Sequence, residues 1–135
     1  MIPCLVITHG QLASELVASA EMIVGEIGHI HPLCIGWQDE VNESREEVEK
    51  YLKSFDMSNG AIILTDMFGG TPSNLAMSFL QEAKVEVITG VNLPMIIKAA
   101  VQGEGETLPS LAEKICEKGK SNISVATRIL NEAGS

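Results

Sequence analysis

Four short apolar runs, each closing in small or polar residues and each followed by a segment of helical period, constrain this chain more than any other feature. They are Ile2 to Thr8, Ile30 to Gly36, Ala61 to Thr65 and Val85 to Thr89, the last ending at Gly90. Continuous runs such as Ile62-Ile63-Leu64 suit strands buried on both faces, as in a parallel sheet covered by helices. Between the runs, apolar residues recur at a period near 3.6. Leu12, Leu16, Ala20, Ile23 and Val24 form one stripe. Val41, Val48, Leu52 and Phe55 form a second, opposite a solvent face of Glu43, Arg45, Glu46, Glu49, Lys50 and Lys53. Leu75, Ala76, Phe79 and Leu80 form a third, opened by Pro72. Pro94 begins a fourth helix, closed around Gly103. A capping box at Ser110-Leu-Ala-Glu113 starts a fifth, which ends at Gly119. Ser121 to Asn131 alternates apolar and polar residues, the period of a strand with one exposed side.

Strand alternating with helix four times gives an α/β fold with right-handed crossovers. The expected architecture is a doubly wound, mainly parallel sheet of order 2-1-3-4, with helices on both faces and a C-terminal antiparallel strand over about 121–131. The 135 residues fit one domain, 1–135. Nine basic against eighteen acidic side chains leave a net charge of −9. That balance disfavours nucleic acid, whose phosphates must be neutralised by Lys and Arg, and an anionic membrane surface. Cys4 and Cys34 read as small core hydrophobes and Cys116 as a helix residue, with no CxxC pair. No apolar stretch approaches a bilayer span, so a reducing cytoplasm is the expected address.

In such a sheet, strands 1 and 3 are neighbours whose connections leave to opposite faces, and ligands bind at the crevice between their carboxyl ends. The first strand delivers Thr8-His9-Gly10 there. The third delivers Thr65-Asp66-Met-Phe-Gly-Gly-Thr-Pro-Ser-Asn74. Topology alone thus brings His9 and Asp66 together across 57 positions. A carboxylate partner holds an imidazole in one tautomer and leaves the other nitrogen a free lone pair, for a nucleophile or a base. Gly69-Gly70 lets backbone N–H groups face the crevice just before a helix begins, which suits an anion such as phosphate, and Thr71 offers a hydroxyl. With no Walker lysine, no metal-carboxylate cluster and no nucleotide fingerprint, this combination suggests phosphoryl transfer through phosphohistidine. Each signal has a bland alternative: a structural histidine, an N-capping aspartate, a plain glycine turn.

On Ile7-Thr-His-Gly10, Thr65-Asp-Met-Phe-Gly-Gly-Thr-Pro-Ser-Asn74 and Thr89-Gly-Val-Asn-Leu-Pro-Met95, taken in that order, the chain resembles the mannose-family IIA component of the bacterial phosphoenolpyruvate-dependent sugar phosphotransferase system. The resemblance implies that His9 accepts a phosphoryl group on Nε2 from the phosphocarrier protein HPr and passes it to a IIB component. It implies that Asp66 orients His9, and that Gly10, Gly70 and Thr71 contact the phosphoryl group. Thr71 stands where the family commonly has serine. The resemblance also implies a homodimer that exchanges a C-terminal strand, and contact with the membrane only through permease components. It calls for no cofactor and no metal.

Phe68, Trp37 and Asn92 are candidate partner-interface residues, with packing or capping roles as equal alternatives. His29 and His31 share a strand face but lack further ligands, and read as surface or edge histidines. Three rivals stand beside the relay. One is a regulatory member of the same family, another a receiver-like domain phosphorylated on Asp66. The third is a small-molecule binder.

Overall fold

The four apolar runs form four parallel strands in a computed structural model that describes residues 1–36, 38–81 and 84–134. The elements are β1 (Cys4–His9), α1 (Leu12–Val24), β2 (Ile30–Ile35), α2 (Val41–Ser54), β3 (Ala61–Thr65), α3 (Thr71–Met77), β4 (Val85–Thr89), α4 (Leu93–Ala100), α5 (Leu108–Ser121) and α6 (Ala126–Gly134). The sheet order is β2-β1-β3-β4, as expected. Cys4 pairs with Ile30 on one side and Ile62 on the other, and Ala61 pairs with Val85.

The two central strands are buried on both faces, which accounts for their unbroken apolar runs. Cys4, Val6, Ile62 and Leu64 pack with residues of α1, α4 and α5. Leu5, Ile7, Ala61 and Ile63 pack with residues of α2 and α3. Leu5, Ile7, Ile62, Ile63 and Leu64 are completely buried, each contributing about 1.5–3 kcal/mol of transfer free energy. Burial also pushes the Cys4 thiol pKa up to about 12, so it stays a neutral core group.

Several helices sit differently from their expected positions. In α1 the buried residues are Ala13, Val17 and Ala20, while Leu12, Ile23 and Val24 are exposed. The buried Thr8 hydroxyl accepts the Ala13 N–H at 2.7 Å, which fixes the rotation of the helix and turns its small residues to the sheet. In α2, Arg45 leaves the expected solvent face, lies 4.5 Å above the Phe79 ring and donates to Ser78 Oγ. α5 starts three residues before the expected capping box. The Thr107 hydroxyl accepts the Ser110 N–H, and Pro109 suits the first turn, where no N–H is needed. It also runs past Gly119 to Ser121. Gly119 lets α5 approach α4 closely, since a Cβ there would come within 2.5 Å of Met95 Sδ and displace that side chain.

The C-terminal segment corrects the sequence expectation: 126–134 is the helix α6, and no antiparallel strand forms over 121–131. A strand needs a neighbour for its N–H and C=O groups, whereas a helix satisfies them internally. Here the Val125 carbonyl accepts from Arg128 N–H at 2.9 Å and Ile129 N–H at 3.4 Å. Val125 and Ile129 are four apart, as are Ala126 and Leu130, so the alternation coexists with helical spacing. Ile123, Val125, Ile129 and Leu130 are all exposed.

Candidate functional site

His9 is the last residue of β1 and Asp66 the first after β3, and the β1–β3 pairing sets them side by side. Asp66 Oδ2 accepts two hydrogen bonds from His9, one from the backbone N–H at 3.0 Å and one from ring Nδ1 at 2.8 Å. Asp66 Oδ1 accepts the Met67 N–H at 2.9 Å. A carboxylate only accepts, so it selects the tautomer with the proton on Nδ1 and leaves the lone pair on Nε2. Partial burial raises the Asp66 pKa, but the hydrogen bonds from His9 and Met67 and the nearby imidazole outweigh it and hold the carboxyl below its ordinary value. Asp66 is therefore ionised at neutral pH. Its side chain is 13% exposed against 49% for His9, so the carboxylate is set back while the imidazole faces outward.

The backbone of Gly70 lies against the imidazole. A Cβ at this position would fall 2.7 Å from His9 Cε1 and 3.1 Å from Nε2. Gly70 has φ of −88°, an ordinary value, so glycine is needed for the close approach and not for the conformation. Gly69, by contrast, has φ of 91° with open space where a Cβ would be. Gly70 caps α3 and Thr71 is its first residue; neither N–H has an acceptor among the described residues, as usual in a first turn. Thr71 is exposed beside them.

Gly10 differs from its expected use. Its N–H donates to the Ile35 carbonyl at 3.0 Å, so that amide is committed to the sheet, and its φ of 55° is what turns β1 into α1. Phe68 and Met67 are exposed on the loop after Asp66, at 71% and 56%, and Leu12 is exposed at the start of α1. Asn92 faces inward: its Oδ1 caps α4 at Met95 N–H, and its Nδ2 donates to the Gly119 carbonyl, tying α4 to the end of α5. Trp37 lies outside the described residues.

His29 and His31 do not share a site. His29 Nε2 meets the Ala99 carbonyl at 2.9 Å, and the His31 ring stacks on Phe55 at 5.4 Å between centroids and leans on Tyr51. Both are half-buried at the edge strand β2, in keeping with the edge positions the sequence suggested. Sequence reasoning missed Thr8, which anchors α1, and Ser73, which holds the glycine turn. Ser73 Oγ accepts the Gly69 N–H at 2.9 Å and donates to the Gly70 carbonyl at 3.2 Å. The signal available for both was a small hydroxyl residue at a strand-to-helix junction.

Residues 4–116 match the family described as EIIA-man, PTS system fructose IIA component. Over 125 residues the chain is 33% identical to the PTS system mannose-specific EIIAB component of Escherichia coli K12. That match takes in 86% of this chain but 36% of the relative, so the chain spans about a third of its length. It is 26% identical to the PTS system fructose-specific EIIA component of Bacillus subtilis, over 98% of this chain and 91% of that protein. Among solved structures, the mannose/sorbose-specific IIA subunit of the phosphotransferase system from Enterococcus faecalis superposes with a TM-score of 0.83 at 31% identity, covering 93% of this chain and 95% of that one.

Proposed function

The chain belongs to the EIIA-man family of phosphotransferase-system IIA components, and from that premise we propose that it relays a phosphoryl group through His9 from the phosphocarrier protein HPr to a IIB component, for sugar uptake. The observation that carries this reading is the Asp66 Oδ2 contact to Nδ1 at 2.8 Å, which leaves Nε2 as the free nucleophile beside Gly70.

In the forward step the Nε2 lone pair attacks the phosphorus of the carrier's phosphoryl group. The new N–P bond forms as the bond to the carrier breaks, and its electron pair stays with the carrier. As positive charge builds on the imidazole, ionised Asp66 stabilises it through Nδ1–H. The amides of Gly70 and Thr71, which have no acceptor among the described residues, and the Thr71 hydroxyl would donate to the phosphoryl oxygens. Positioning and charge stabilisation supply most of the rate in such transfers. In the return step the IIB nucleophile attacks the same phosphorus and Nε2 leaves with its pair, neutral again because Nδ1 never gave up its proton. The half-exposed ring, with Met67 and Phe68 exposed on the loop after Asp66 and Leu12 exposed at the start of α1, suits a protein surface as donor and acceptor. The exposed row Ile123, Val125, Ile129 and Leu130 supports a second copy of the chain as a further partner.

The test is reconstitution. Phosphoenolpyruvate, enzyme I and HPr should label the chain with acid-labile phosphate, and added IIB component should then discharge it. A chain that is labelled but not discharged by any co-encoded IIB component would contradict the relay and favour a regulatory protein.

A further inference from the structure

The reactive nitrogen of His9 sits against a loop whose shape rests on one side chain outside the histidine–carboxylate pair. Ser73 is completely buried in the first turn of α3. Its hydroxyl uses both of its capacities on that loop, accepting the Gly69 N–H and donating to the Gly70 carbonyl. The Gly70 carbonyl also accepts the Asn74 N–H at 3.0 Å.

Peptide planarity turns these bonds into orientation. The Gly70 carbonyl and the Thr71 N–H belong to one rigid plane and point in opposite directions. Holding the carbonyl toward Ser73 and Asn74 therefore directs the Thr71 N–H away from them. The Gly69 N–H fixes the preceding plane in the same way. Between the two lies the Gly69–Gly70 peptide, whose freedom is limited from both ends. Gly69 at φ of 91° and Gly70 without a Cβ would otherwise be the most adaptable pair in the chain.

We propose that Ser73 is a positioning residue for phosphoryl transfer at His9: its buried hydroxyl locks the Gly69–Gly70 turn, so that the Gly70 and Thr71 amides are already aimed at the phosphoryl oxygens before the group arrives. Donors set in advance cost no reorganisation when charge moves, which is where such hydrogen bonds have their largest effect. This rests on the relay reading of the site. Gly69 is exposed, so water can take its N–H when the hydroxyl is removed. The fold therefore tolerates Ser73→Ala while the turn loses its lock.

Wild-type chain and the Ser73→Ala variant are phosphorylated with phosphoenolpyruvate, enzyme I and HPr, and ¹⁵N-resolved spectra are recorded before and after. The variant should melt cooperatively yet accept phosphate at least about tenfold more slowly. The downfield movement of the Gly70 and Thr71 amide protons on phosphorylation should shrink to less than half of its wild-type size. Labelling within twofold of wild type, with the same amide movement, overturns the proposal. If wild type itself takes no phosphate on His9, the relay reading fails and this inference falls with it. Should Ser73→Ala not fold, amide exchange in the wild-type chain decides. Gly69 N–H should exchange at least about a hundredfold below its free rate, and exchange near the free rate overturns the lock.

Discussion

Asp66 Oδ2 holds His9 by its backbone and its ring at once, so Asp66 should act on rate and on fold separately. Asp66→Asn keeps the shape but removes the charge that stabilises the imidazole; phosphorylation by HPr should slow by about tenfold or more, with far-UV circular dichroism unchanged. An unchanged rate would show that the carboxylate is not the working partner of His9. The pH dependence follows from the lowered pKa. A carboxyl held below its ordinary value stabilises the fold above the usual carboxylate range and loses that contribution as pH falls through the lowered value. The difference in Tm between wild type and Asp66→Asn should therefore narrow between pH 6 and pH 3. The two glycines separate in the same way. Gly70→Ala meets the imidazole and should cut labelling by about a hundredfold with little loss of stability. Gly69→Ala meets nothing but must hold φ of 91°, and should lower stability by about 1–2 kcal/mol by thermal melting. His9 and Asp66 were legible in the sequence because strand order alone brings them together. The committed Gly10 amide and the Ser73 lock were not, because each depends on which carbonyl or amide lies opposite, and residue type does not carry that.

β3 ends in an uncompensated group. The Thr65 hydroxyl is buried with no hydrogen-bond partner among the described residues, directly before Asp66. A buried unpaired hydroxyl costs about 1–3 kcal/mol, and valine has nearly the same shape. Thr65→Val should raise Tm by about 3–5 °C for each kcal/mol recovered, whereas a lower Tm would mean that the hydroxyl has a partner after all. The strands were the readable elements, because double-sided burial writes an unbroken apolar run into the sequence. Helix rotation was less readable. α1 turns Ala13, Val17 and Ala20 inward because Thr8 captures the Ala13 N–H, and the larger Leu12, Ile23 and Val24 are left outside. Period reports that a helix has a face, and contacts decide which face is used. After α5, the alternation at Ile123, Val125, Thr127 and Ile129 suggests a strand but also contains the i to i+4 spacing of a helix, and the segment forms α6.

The whole molecule carries a net charge of −9, and in the proposed relay the His9–Asp66 pair would hold a phosphoryl anion against that field. Backbone amides close to Nε2 act at short range, where salt screens little, while the net charge acts over distances near the Debye length. The acidic balance should therefore favour approach by a carrier with a basic docking face. Raising salt from 50 to 500 mM should slow phosphorylation by HPr through the association step while the label on His9 stays equally acid-labile. Salt independence would confine the charge to solubility. No helix among the described residues is long and apolar enough to cross a membrane. The exposed apolar residues Ile123, Val125, Ile129 and Leu130, just before and within α6, should be covered by a second copy, giving a dimer in sedimentation; a monomer at micromolar concentration would refute that. The central claim concerns one nitrogen atom, and one measurement addresses it: ³¹P spectra of wild type and His9→Ala after incubation with phosphoenolpyruvate, enzyme I and HPr. Wild type should give a single acid-labile phosphohistidine signal substituted at Nε2, and His9→Ala should give none. A signal that persists in His9→Ala, or an acyl phosphate on Asp66, would contradict it.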